Sequence, residues 1–429
     1  MAEKLRKVLT LKEVVIFGVG IIIGAGIYSI IGKAAEVAGF GIWISVLIAG
    51  IITLFTGLSF AEMTSLYPKT SSYFKLLSHA FGRFEGKIWG FIIEWFLVLA
   101  SIFSIAAVSI AFGGYFSSFF NVQPILAALG IIIFSSLVSY FGIKESVITT
   151  IMFTLIEVLG LIIVIVLGIS LAKPSSEFLI SFKLDYNIFY AATLIFFAFT
   201  GFELIPAQSE ETVTPKKLIP KAIVYSIIIC TIIYLLVAIA VVNLYDPKLL
   251  GKSSAPLVDI ISKNFDSRIA FFVWVASIFS ISNTVLGLFI TSSRLLYGLG
   301  KEKLFPVFFK KLSKFKTPVV SILMISSISI VSTFLIQDLK TTAEIANLLT
   351  LSTFFSINAS IIVLRRKKSK SKGFKVPLAI KNVPIPSLIG CILCAFLISQ
   401  FPKMVLLNGF LISLIGLIFY FITKEKYII

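Results

Sequence analysis

Two stretches decide how this chain is read. The first is Gly18-Val19-Gly20-Ile21-Ile22-Ile23-Gly24-Ala25-Gly26-Ile27-Tyr28-Ser29-Ile30-Ile31-Gly32, in which five residues of fifteen are glycine. Glycine costs a helix about 1 kcal/mol relative to alanine, so this apolar run is expected to open near Gly24–Gly26. Small side chains there leave backbone N–H groups accessible to a ligand, the plainer alternative being close helix packing through small residues. The second stretch is Phe196-Phe197-Ala198-Phe199-Thr200-Gly201-Phe202-Glu203-Leu204-Ile205-Pro206. It has a glycine in mid-run, a carboxylate two residues on, and a proline three after that. Pro206 brings no N–H and crowds the preceding turn, which predicts unwinding around Thr200–Phe202.

The rest of the chain sets these stretches in a membrane. Of 429 residues, 58% are apolar and 14% charged, against about 45–50% and 25% in soluble proteins. That leaves too little polar surface for a water-soluble globule. A spanning helix needs about 20 mostly apolar residues. Twelve runs qualify, at roughly 13–33, 40–66, 88–119, 124–141, 147–172, 188–209, 221–243, 268–298, 318–337, 342–364, 386–402 and 404–423. They are numbered spans 1 to 12 below. The runs are continuous and do not alternate, which excludes a β-barrel. The loops are too short for a separate domain, so residues 1–429 read as one all-α polytopic membrane domain. Span 1 lacks a small-residue cleavage site and is expected to be a retained helix, not a signal peptide.

Lys and Arg number 38 against 20 Asp and Glu. Their placement says more than the excess. The N-terminus, the loops leaving even-numbered spans and the C-terminus together hold 29 of the 38. The positive-inside rule puts that face, and both termini, in the cytoplasm of a cell whose plasma membrane the chain crosses. The run Arg365-Arg366-Lys367-Lys368-Ser369-Lys370-Ser371-Lys372 is therefore a cytoplasmic loop, with lipid headgroups rather than nucleic acid as its partner.

Little else suggests chemistry. Cys230, Cys391 and Cys394 lie inside apolar runs, so no disulfide is expected, and the Cys391/Cys394 pair reads as packing residues. One histidine, His79, cannot build a metal site or a catalytic triad. Gly251-Lys252-Ser253 resembles the end of a phosphate loop, but Asp246 stands where the first glycine is needed. No enzyme activity, metal or cofactor is expected.

The openings in spans 1 and 6 are five helices apart. That is the mark of an inverted repeat, spans 1–5 against spans 6–10, with a site at the bilayer midplane. Half-helix N-termini favour an anionic carboxylate, and unwound carbonyls favour a cation. An amino acid carries both groups on one carbon.

At this point the sequence resembles the amino acid–polyamine–organocation (APC) transporters, which have the LeuT-type fold. The resemblance runs through spans 1–10. It rests on Gly24-Ala25-Gly26-Ile27-Tyr28, and on Phe60-Ala61-Glu62-Met63-Thr64-Ser65-Leu66-Tyr67-Pro68 at the end of span 2. It is most specific in Phe199-Thr200-Gly201-Phe202-Glu203, Glu210-Glu211 and Pro215-Lys216-Lys217-Leu218-Ile219-Pro220-Lys221-Ala222-Ile223. Ser293-Arg294-Leu295-Leu296-Tyr297-Gly298 with Pro306 adds to it. Two positions depart from the family pattern: Lys69-Thr70-Ser71-Ser72-Tyr73 replaces S-G-G-x-Y, and Thr214 replaces an asparagine.

The resemblance implies a twelve-helix fold with a 5+5 inverted repeat (13–172 and 188–364), broken helices 1 and 6, and two extra helices (386–423). It implies that the substrate carboxylate meets N–H groups of Gly24, Ala25 and Gly26. The ammonium would meet carbonyls of Ile23, Phe197 and Thr200. Phe197 or Phe199 would close over the substrate, and Phe199, Gly201 and Phe202 would line the site. The phenylalanines have a plainer reading as apolar bulk, since the chain has 42.

Four carboxylates within or at the edge of spans are singled out: Glu62, Glu94, Glu157 and Glu203. An ionised carboxylate at mid-membrane costs at least about 2.5–3.5 kcal/mol, and burial favours the neutral form of any carboxyl. Glu62 reads as structural. Glu203 could bridge the unwound backbone or titrate. Glu94 resembles a span 3 glutamate of the cationic amino acid branch. Glu157 stands where several sodium-independent relatives carry a lysine. There it could face Ser282 and Asn283 of span 8 and carry a coupling proton. Sodium is the competing ion, with hydroxyls of Ser280, Ser282 and Thr284 as candidate ligands.

These expectations amount to a secondary transporter importing amino acids by proton symport through alternating access. Spans 1, 2, 6 and 7 would rock against spans 3, 4, 8 and 9. The alternatives are an amino acid/amino acid or amino acid/polyamine exchanger and, in a different class, a non-transporting sensor or subunit.

Overall fold

The computed structural model describes residues 9–67, 72–82, 85–142, 147–171, 185–210, 212–301, 303–367 and 373–427. Helix dominates. Ten stretches are long and apolar enough to cross a membrane, and Ile385–Ser399 is a further apolar helix of 15 residues. The first of the ten, Leu11–Leu66, is divided at Gly39–Gly41 into the helices of spans 1 (Leu11–Ala38) and 2 (Ile42–Leu66). Thus a helix occupies each of the twelve apolar runs.

Local chemistry starts these helices. The Asp185 carboxylate accepts the N–H of Ile188 at 3.1 Å and opens span 6 at Tyr186. Asp338 accepts the N–H of Thr341 at 2.8 Å and opens span 10 at Leu339. Both satisfy an N–H that a helix start leaves without an internal partner. Spans 7 (Pro215–Leu244) and 11 (Ile385–Ser399) carry proline in the first turn, where its missing N–H is no loss.

Spans 1, 2, 6 and 7 pack on one another, and span 3 (Glu85–Ser117) packs on spans 4, 8 and 10. Span 5 (Val147–Ser170) and span 8 (Ser267–Lys301) both touch span 1. Spans 4, 5, 9 and 12 turn large apolar side chains outward, among them Phe134, Met152, Leu335 and Phe410. Such faces suit lipid. Buried polar residues instead lie inside, most densely on spans 2, 9 and 10, with Ser277 and Ser280 on span 8.

The connections hold more structure than short loops would. A ten-residue helix, Ser72–Phe81, lies between spans 2 and 3. Helices Pro247–Leu250 and Pro256–Asn264 lie between spans 7 and 8, and a small hairpin pairs Ala379–Ile380 with Val383–Pro384 before span 11. Span 11 is stitched inward by polar contacts: Ser387 to Ser59 at 2.8 Å and Cys394 to Thr56 at 3.8 Å. The three cysteines are free.

Candidate functional site

Span 1 departs from helix at Gly24, with φ 26° and ψ −144°. This is backbone that only glycine adopts without strain. A side chain would also collide: a Cβ on Gly24 would lie 2.5 Å from the Thr284 hydroxyl. Span 6 ends its α-helix at Phe199. Thr200 is extended, Gly201 takes φ 117°, and the chain resumes as a 3-10 helix over Phe202–Glu210 that contains Pro206.

The two openings are pressed together. A Cβ on Gly26 would lie 2.5 Å from Ala198 Cα, and one on Gly201 would lie 2.7 Å from the Ile21 carbonyl oxygen. The two glycines let the main chains of spans 1 and 6 meet almost directly.

Side chains from spans 7 and 8 satisfy the backbone groups that the openings release. The Ser280 hydroxyl donates to the Gly24 carbonyl at 2.5 Å, and the Ala25 N–H donates to Thr284 Oγ1 at 2.7 Å. That carbonyl and that N–H belong to one peptide group, and in a trans peptide they point in opposite directions. Residues four apart on a helix lie one turn apart on the same face. The spacing of Ser280 and Thr284 therefore matches the two poles of one peptide. The Thr284 hydroxyl passes its own proton to the Ser280 carbonyl at 2.9 Å.

Tyr234 of span 7 does related work between the openings. Its buried hydroxyl lies 2.8 Å from the carbonyl oxygens of both Ile22 and Ala198, which share its one proton. Phe199 packs edge-on against the Tyr234 ring, with centroids 5.0 Å apart. Within span 6 the Phe197 carbonyl accepts from both the Thr200 N–H, at 3.3 Å, and the Thr200 hydroxyl, at 2.8 Å. The Glu203 carboxylate turns back to accept the Gly201 N–H at 2.8 Å. Glu203 thus bridges the unwound backbone.

Glu157 is fully buried. Asn283 Nδ2 donates to its Oε1 at 3.5 Å, and its Oε2 has no hydrogen-bond partner among the described residues. Its backbone carbonyl accepts the Tyr28 hydroxyl at 2.7 Å, and the Tyr28 carbonyl in turn accepts the Tyr115 hydroxyl at 2.8 Å. Ser282 was expected beside Glu157 but makes no hydrogen bond to it among the described residues. One helix position rotates a side chain by about 100°, and Asn283, expected there as well, has the facing position.

Phe202 and Glu94 flank the span 6 opening through aromatic neighbours. Phe202 points into an aromatic cluster, with ring centroids 5.1 Å from both Phe60 and Phe354. Glu94 accepts the Phe74 N–H at 3.3 Å, near the start of helix Ser72–Phe81. At the other end of that helix Lys367 donates to the Ala80 carbonyl at 2.8 Å. An anion at the N-terminus and a cation at the C-terminus both complement the helix dipole. The helix carries Tyr73 edge-on to Phe60, with centroids 6.1 Å apart. Burial, with the Glu203 and Glu94 carboxylates beside it, pushes the Tyr73 phenol well above its usual range.

Glu62 is clasped at the end of span 2. Arg365 donates to it twice, at 2.7 and 2.6 Å, and the Val376 N–H donates a third time at 2.7 Å. This joins span 2, span 10 and the segment before the hairpin, a structural role as expected from the sequence.

Several partners escaped the sequence reading. Tyr234 is one tyrosine among 13, and no local pattern marks it. Glu344 is a further carboxylate within the spans, 3% exposed, to which the Tyr190 hydroxyl of span 6 donates. Its place near the start of span 10 was legible, but the residue was passed over among polar neighbours. The Ser280–Thr284 grip was visible only as hydroxyl candidates for sodium.

Together these features define a polytopic helical membrane protein whose first and sixth spans open against each other under the hold of spans 7 and 8. The family profile described as Amino acid permease matches residues 13–426, and the chain belongs to that family of transporters. It is 27% identical over 448 aligned positions to the branched-chain amino acid permease BcaP of Bacillus subtilis (strain 168), covering 99% of this chain and 94% of the relative. It is 27% identical to the methylthioribose transporter of the same organism, over 99% of this chain and 95% of that one. To cationic amino acid transporter 4 of Mus musculus it is 29% identical, over 86% of this chain and 61% of the relative.

Proposed function

We propose that this permease imports amino acids across the cell membrane by proton symport, through alternating access. It does so as a twelve-span protein with both termini cytoplasmic and spans 1–5 and 6–10 forming an inverted repeat. The observation that carries this reading is the opposition of the Gly24 and Thr200–Gly201 openings, locked by Gly26 against Ala198 and Gly201 against Ile21. Main-chain N–H and C=O groups meet there inside the membrane, the pairing that an amino acid's carboxylate and ammonium require. The backbone groups of Ile23, Gly24, Ala25, Gly26, Phe197, Thr200 and Gly201 would read the substrate's common part, with Phe199 closing over it.

Spans 1, 2, 6 and 7 would move as one body, which their mutual packing supports. Glu157 is assigned the coupling proton. It is buried, faces Asn283, and has an oxygen without a hydrogen-bond partner among the described residues. For the substrate side chain we favour an apolar group. Glu203 is engaged by the Gly201 N–H, and the similarity to a branched-chain amino acid permease points the same way.

The test is uptake of a panel of labelled amino acids into proteoliposomes holding the purified protein. One set has an inward pH gradient, one a sodium gradient, and one neither gradient but preloaded amino acid. Accumulation driven by the pH gradient alone is expected. Flux only in the preloaded vesicles would make the protein an exchanger, and no flux in any set would favour a sensor or subunit.

A further inference from the structure

Thr284 has a part to play in ligand binding that follows from the proposed function and rests on it. The opening at Gly24 makes Ala25 the first residue of a new half-helix, whose leading N–H groups have no intrahelical acceptor. In the structure the Ala25 N–H is already taken: it donates to Thr284 Oγ1 at 2.7 Å. Because the Thr284 proton goes to the Ser280 carbonyl at 2.9 Å, the hydroxyl turns lone pairs toward Ala25. It acts as a helix cap supplied by another span.

One N–H has one hydrogen. A carboxylate placed on the Ala25 N–H and the Thr284 hydroxyl cannot both hold it at full strength. We propose that Thr284 is a resident cap that occupies the carboxylate position until substrate displaces it, so that it sets affinity by competing with the ligand. The neighbouring bond gives this cap a fixed place. Ser280 keeps hold of the Gly24 carbonyl at 2.5 Å, so the same peptide stays anchored at one pole while the other is exchanged.

This role makes a prediction opposite to that of a merely structural hydroxyl. Thr284→Ala removes the competitor and opens space, so amino acid binding tightens about three- to tenfold, the worth of one neutral hydrogen bond. Thr284→Ser keeps the hydroxyl and binds as wild type does. Thr284→Val keeps the volume but puts a methyl where the carboxylate must go, and so binds more weakly.

The measurement is equilibrium binding to purified full-length protein in detergent. The probe is whichever of the twenty labelled amino acids the wild type binds best, with its decarboxylated amine in parallel. The amine has no carboxylate, and its affinity is expected to be the same in wild type and Thr284→Ala. Unchanged or weaker amino acid binding in Thr284→Ala overturns the proposal. Should that variant not fold, equal or tighter binding in Thr284→Val overturns it as well. A wild type that binds none of the twenty brings down the transport reading itself, and this inference with it.

Discussion

Glu157 and Asn283 face each other from spans 5 and 8, with 3.5 Å between the carboxyl oxygen and the amide nitrogen. The amide holds one carboxyl oxygen, and the other has no hydrogen-bond partner among the described residues, which leaves Glu157 a place to carry a proton. Glu157→Gln fixes the neutral shape and removes the proton. Uptake driven by an inward pH gradient is expected to fall at least about tenfold, to the level seen without a gradient, while exchange in preloaded vesicles persists. In the wild type, acidifying the outside should raise uptake, because the proton enters with the substrate. An unchanged pH dependence in Glu157→Gln would remove this residue from coupling.

The crossing of spans 1 and 6 tolerates no side chain. Gly26→Ala places a Cβ 2.5 Å from Ala198 Cα, and Gly201→Ala places one 2.7 Å from the Ile21 carbonyl. Both contacts are with main-chain atoms that cannot swing aside, and Gly201 would also pay for its φ of 117°. Each variant should lose about 1–3 kcal/mol of stability and most of its uptake. Thermal denaturation in detergent, alongside transport in vesicles, separates the two losses.

Tyr234→Phe deletes one oxygen and leaves the ring. It removes the proton that the Ile22 and Ala198 carbonyls share. The expected cost is about 1–3 kcal/mol, the desolvation penalty of a buried acceptor left unpaired. Substrate affinity should fall as the two openings lose their common tie. Wild-type stability and affinity in this variant would mean that water replaces the hydroxyl without loss.

The Glu62–Arg365 clasp is nearly dry, with side chains 3% and 15% exposed. Arg365→Ala strands a carboxylate and should destabilise by about 3–5 kcal/mol, whereas the double change Glu62→Gln, Arg365→Met should recover much of that loss. Equilibrium unfolding of the single and double variants decides it. Equal losses in both would show that the pair has no special coupling.

The helices and the two openings were legible because their causes are local. Apolar runs announce spans, and glycine beside proline announces a place where a helix gives way. Gly24 and Gly201 could be found without knowing what lay across from them. The hold on those openings was not legible, because Tyr234, Ser280 and Thr284 act on backbone far away in sequence. Serine and tyrosine are common in this chain, so their spacing carries little contrast. Helix Ser72–Phe81 falls between two apolar runs and leaves no apolar signal of its own, and its stabilising charges, Glu94 and Lys367, come from span 3 and the end of span 10. Of the two span 8 residues that spacing puts beside Glu157, Asn283 hydrogen-bonds to it and Ser282, one step around the helix, does not among the described residues.

The clasp at Glu62 also bears on how the chain is made. Its partner lies 303 residues further along. At roughly 5–20 residues per second, translation takes about 15–60 s to reach Arg365. For that interval the newborn span 2 has a carboxylate and no guanidinium, and pulling it into hydrocarbon would cost at least about 2.5–3.5 kcal/mol. The end of span 2 is therefore expected to stay at the water interface while spans 3 to 10 are laid down beside it. Arg365 then arrives as a late fastening, and a chain truncated before span 10 should remain open at this corner however well its earlier helices have inserted.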